Sequence, residues 1–99
     1  MKWADMQAGD MILADWEDGD RTLEIFVDKV EENGLDATGW SVLEIWVKSD
    51  GTCVTTPDLA SYKDPEHSPL VGLDGITRQV LMRDGRILKE AFRVNNVSA

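Results

Sequence analysis

Residues 15 to 20 read DWEDGD, four carboxylates around one tryptophan and one glycine. Carboxylates at this density suit hard cations. Placing Gly19 at the sixth position of an EF-hand loop puts Ala14 first and Ile25 twelfth, and neither side chain can ligate calcium. A looser cation site on Asp15, Glu17, Asp18 and Asp20 is the chemical alternative to a solvated hairpin tip. Tip geometry fits better: Asp18-Gly19 turns the chain and its acids point into water. No metal and no cofactor is expected.

Catalytic constellations are equally thin. The sequence contains no G-x-S-x-G, H-E-x-x-H or Walker pattern. Cys53 and His67, each alone of its kind, offer one nucleophile and one base, but a buried structural cysteine and a solvated loop histidine is the simpler reading. Zinc needs more ligands than this pair supplies. Glu31 and Glu32 lead into Asn33-Gly34 and read as solvated hairpin ends. We expect no enzyme.

Charge separates the two halves of the chain. Of the net −9, all falls in residues 1–50, with 13 acids against four bases; residues 51–99 balance at six each. Arg78, Arg83, Arg86, Lys89 and Arg93 form a mildly basic C-terminal segment. They could meet phosphates, yet the overall charge repels a polyanion and argues against direct nucleic-acid binding. The lone cysteine, the absence of a visible signal peptide in MKWADMQAGD, and apolar runs far short of the roughly 18 to 20 residues of a membrane span lead to the expectation of a cytoplasmic protein.

The elements that must position these residues are marked by turns. Asp or Asn precedes Gly at 18–19, 33–34, 50–51, 74–75 and 84–85, the pairs that type I′ hairpin turns prefer. The short Val-, Ile-, Leu- and Trp-rich runs between them predict an antiparallel meander in one domain, 1–99. Strands are expected at 10–16, 21–30, 39–48 and 52–56. An irregular stretch follows over 57–75, with a short helical turn near 57–62 and Leu59, Tyr62 and Leu70 packing over one end. Residues 76–94 predict a hairpin about Asp84-Gly85, with a final helix over 86–94 as the alternative.

Period-2 alternation puts Leu23, Ile25 and Val27, and Leu43, Ile45 and Val47, on the expected buried face. Phe26, Trp40, Val42 and Trp46 then fall on the other side with Glu24 and Glu44. They form either an outward aromatic patch edged with carboxylates or a second, partly buried face of a strongly bent sheet. MQAGDMIL resembles the entry of SH3-like barrels, which implies a small antiparallel β-barrel or strongly bent sheet of five to six strands. The resemblance covers about ten residues and carries no functional ones.

These readings converge on an acidic binding module that docks on a basic protein surface. The expected contact residues are Asp15, Trp16, Glu17, Asp18, Asp20, Glu24, Phe26, Trp40, Glu44 and Trp46. Small acidic proteins of phage or mobile-element origin look like this, which implies an inhibitor blocking a nucleic-acid-binding host protein. Two other classes fit the same sequence. One is an assembly protein forming a homo-oligomer through strand edges; the other binds a small phosphate-bearing ligand with His67 and the C-terminal arginines.

Overall fold

The computed structural model describes residues 2–30, 38–63, 66–70 and 74–92. Six strands make one antiparallel sheet: β1 (Met11–Trp16), β2 (Arg21–Val30), β3 (Thr38–Val47), β4 (Cys53–Lys63), β5 (Ile76–Arg83) and β6 (Arg86–Phe92). Their order across the sheet is β4-β3-β2-β1-β5-β6. β4 and β6 are therefore edges, and the sheet is open. The all-β class and the six strands hold; the closed SH3-like barrel does not, because closure requires the two edge strands to pair.

Turn chemistry sets the meander, with one refinement. Asp84 and Gly85 both have positive φ (51° and 75°), as a two-residue type I′ hairpin requires. At Asp18-Gly19 and Asp50-Gly51 only the glycine does. There Gly19 N–H donates to the Trp16 carbonyl (3.1 Å) and Gly51 N–H to the Lys48 carbonyl (2.9 Å). These are type I turns finished by a left-handed glycine, a longer loop than type I′. The Asn33-Gly34 turn and the Glu31–Glu32 pair lie outside the described residues. The C-terminal hairpin forms as expected over 76–92, without the alternative helix.

The expected helical turn at 57–62 is instead strand. β4 runs on through Lys63, and the β3–β4 register slips between Val42, opposite Leu59, and Glu44, opposite Thr56. Pro57 and Asp58 thus share one place opposite Leu43. Proline is tolerated in a strand at an edge or a bulge, and Pro57 has both. The irregular stretch 57–75 is shorter than expected for that reason. Leu70 does pack into the core; how the Leu59 and Tyr62 side chains pack lies outside the described residues. β6 carries a second edge bulge at Leu88, where Met82 faces Ile87 but Leu81 faces Lys89.

The two faces of the sheet are both apolar. On one, the register aligns Met82–Met11–Ile25–Leu43 and Val80–Leu13–Leu23–Ile45 across β5, β1, β2 and β3. Apart from the buried Val80, these side chains are half-buried. On the other lie Ile12, Leu81, Phe26, Val42 and Trp40, all buried, with Phe26 wholly so. A short 3₁₀ turn at Trp3–Asp5 closes over this second face: Trp3 stacks on Phe26 (centroids 5.4 Å, 26°), Phe26 tilts against Trp40 (5.4 Å, 58°), and Met6 and Leu70 complete the cluster. The expected inward and outward sets are therefore exchanged. When both alternating sets are apolar, period 2 finds the faces but not which one is covered; here the N-terminal aromatic residue decides.

Asp10 ties this lid to the sheet. Its side chain is 1% exposed, and Arg83 grips it with two bonds, Nε–H to Oδ1 and an Nη2–H to Oδ2, both 2.8 Å. The Gln7 amide also donates to Oδ2 (2.8 Å), and Arg83 Nη2 reaches the Asp5 carbonyl (3.0 Å). Burial alone would raise the Asp10 pKa, but the Arg83 and Gln7 hydrogen bonds and the guanidinium charge together hold it below the usual carboxylate value. The Asp10 main chain joins in: Phe26 N–H donates to its carbonyl (2.9 Å).

Candidate functional site

Three turns meet at one end of the sheet. The β1–β2 tip touches the β3–β4 tip through Asp20, whose Oδ1 accepts from the Ser49 amide and whose Oδ2 accepts from the Trp46 indole Nε1–H, both at 2.9 Å. The same tip touches the turn before β5, since Glu17 N–H donates to the Gly75 carbonyl (2.7 Å). Asp15, Glu17, Asp18, Asp20, Asp50 and Asp74 gather here against Arg21, Lys48 and Arg78, the last directly across from Asp15 on β5. Six carboxylates against three cations leave this end acidic.

The acids are not equivalent. Asp15 is neutralised by Arg21 (Nε–Oδ1 2.7 Å). Asp20 spends its oxygens on neutral donors, joining the two tips. Asp18 accepts from the Asp20 amide (2.9 Å), an Asx turn within the loop. Hydrogen bonds from the Thr52 hydroxyl and amide hold the Asp50 carboxyl below its usual range. Glu17, Asp18, Asp50 and Asp74 are exposed.

Two tryptophans stand among these acids on the core side of the sheet. Trp16 is half-buried; its indole N–H donates to Thr22 Oγ1 (3.0 Å) and its ring lies over Gly75, where an added Cβ would come within 3.4 Å. Trp46 is 40% exposed, with the Lys48 ammonium 5.9 Å from its ring centroid. Trp16, Glu17, Asp18 and Gly75 line a hollow of about 140 Å³.

The ten expected contact residues thus divide. Trp16, Glu17, Asp18, Asp20 and Trp46 do come together at the acidic end; Asp15 lies at the same end but on the opposite face, paired with Arg21. Glu24, Phe26, Trp40 and Glu44 do share a face with Trp46, as expected, and Glu24 sits directly opposite Glu44. Phe26 and Trp40 are nevertheless core, 0% and 2% exposed, so they offer no surface to a partner. The Trp3 lid, invisible to strand periodicity, took that role from them. Asp50 and Asp74 are not among the expected contact residues, although each precedes a glycine in an Asp-Gly turn signal.

Other chemistry finds little support. Cys53 is exposed, not buried: it opens an edge strand opposite Val47 at the sheet margin. His67 is exposed as expected. Among the described residues no group of three or more His, Cys, Asp or Glu side chains could hold a metal ion. A hollow of about 270 Å³ is lined by Arg83, Asp84, Arg86 and Leu88, but the Arg83 guanidinium is committed to Asp10 rather than offered to an anion. No helix among the described residues is long and apolar enough to cross a membrane. No protein-family model, curated protein or solved structure matches the chain.

Proposed function

We propose that this protein is a non-catalytic module that docks on a basic protein surface through the acidic end of its sheet. One observation carries the reading: three turns gather six carboxylates and two tryptophans where, among the described residues, three cations oppose them. Such a field steers a basic partner to encounter, and an exposed Trp46 supplies contact area once it arrives. The hollow beside Trp16 suits the end of a lysine or arginine side chain, which would meet an aromatic wall and two carboxylates together. In its specific form the module is an inhibitor that covers a nucleic-acid-binding groove, since such grooves are basic and this end mimics their charge.

The test compares wild type with a Glu17→Gln, Asp18→Asn, Asp50→Asn, Asp74→Asn variant, all at exposed positions. Partners captured from the source lysate at low salt should include basic proteins, and association should slow in the variant and lose most of its salt dependence. Equal capture by both proteins at both salt concentrations would remove the acidic end from consideration.

A further inference from the structure

The second apolar face requires an explanation that the acidic end does not supply. Strands buried on one side alternate apolar with polar residues; strands buried on both sides do not. Here β1, β2, β3 and β5 present apolar side chains to both faces, and among the described residues only the Phe26 face carries a covering segment. Among the described residues the N-terminal turn and Leu70 lie on the Phe26 side, and the remaining non-strand residues are turns at the sheet ends. The open face keeps the two four-residue apolar rows, with Val27 and Val47 exposed at its margins (41% and 39%). Contiguous apolar surface of this kind marks an interaction site.

We infer that this face is the interface of a homodimer, two sheets stacked face to face about a two-fold axis. Charge selects the occupant. The charged residues bordering the rows are paired within the chain, Asp15 with Arg21 at 2.7 Å and Arg78 with Glu90 at 2.8 Å. Asp28 is a further carboxylate on that side, and Pro57 and Asp58 share the register place opposite Leu43. Two chains of net −9 repel one another over most of their surfaces, but this face carries little net charge, so an identical face can approach it. Four strands at about 4.8 Å spacing and six residues at about 3.3 Å give roughly 400 Å² in plan, about half of the roughly 800 Å² per partner of a standard interface, and corrugated side chains expose more than the plan area. Stacked sheets pack in this way, about 10 Å apart. Edge-to-edge growth is disfavoured, because β4 is broken by Pro57 and β6 by the Leu88 bulge and Lys89. The assembly therefore closes at two.

Sedimentation equilibrium of the full chain tests this. Wild type should show twice its 11.1 kDa mass up to about 100 µM, and should keep it in about 1 M salt, because an apolar contact is not screened. Val27→Glu with Val47→Glu, both at exposed margins, should give the single-chain mass with an unchanged circular dichroism spectrum. Edge variants Val54→Lys and Leu88→Lys should leave the dimer intact. A monomeric wild type, a dimer that survives the paired glutamates, or a dimer lost through the edge variants would each overturn the inference. None of these outcomes depends on the acidic end, whose variants keep this face unaltered.

Discussion

Asp10→Asn is the sharpest test of how the lid is held. The side chain is 1% exposed and accepts three hydrogen bonds of 2.8 Å, two of them from the Arg83 guanidinium. Asparagine keeps the shape and one acceptor for the Gln7 amide but loses the charge and turns an N–H₂ toward Arg83. Breaking one side of a buried pair costs about 3–5 kcal/mol. Arg83 remains a quarter exposed and can recover some hydration, so about 3 kcal/mol is expected, or a fall in Tm of roughly 12 °C or more at this chain length. Urea unfolding with matched slopes would measure it. Arg83→Met should destabilise in the same direction, and the double variant should lose clearly less than the two singles combined, because it leaves no uncompensated charge. The pH dependence has a definite sign. The folded pKa of Asp10 lies below its ordinary 3.8, so the stabilisation is complete above that value and fades as pH falls toward the folded one. The gap between wild type and Asp10→Asn should therefore stay constant from neutrality down to about pH 5 and narrow below 3.8. A cost below about 1 kcal/mol, or strictly additive singles, would refute the view that this pair anchors the lid.

Three further expectations follow from the same structure. Phe26→Ala, at the wholly buried centre of the Trp3–Phe26–Trp40 stack, should cost about 3–5 kcal/mol by urea unfolding and shift tryptophan fluorescence to the red. Trp40→Phe should cost under about 1.5 kcal/mol, because the buried Trp40 Nε1–H has no hydrogen-bond partner among the described residues and its removal offsets lost volume; a loss as large as that of Trp40→Ala would contradict this. Asp20→Ala should cost about 1–2 kcal/mol and speed hydrogen exchange at the Ser49 amide, since it cuts the bonds joining the two tips; unchanged exchange there would refute the link.

What the sequence determined by itself was local. Asp84-Gly85 could be read as a hairpin turn because positive φ at both positions is a property of those two residues and little else. The strands at 21–30 and 39–48 were legible from alternation, within one residue of the observed bounds, and DWEDGD from the mismatch between its composition and any metal or catalytic pattern. The tertiary structure decided everything that depended on a distant partner. Pro57 reads as a strand breaker until β4 is known to be an edge. Phe26 and Trp40 read as surface until Trp3, 23 and 37 residues away, is seen to fold over them. Asp10 and Arg83, 73 residues apart, give no sign of each other along the chain. Turn propensity is fixed by the covalent chemistry of neighbours, whereas the choice of covered face is a competition in buried area between two apolar surfaces, which only the assembled chain resolves.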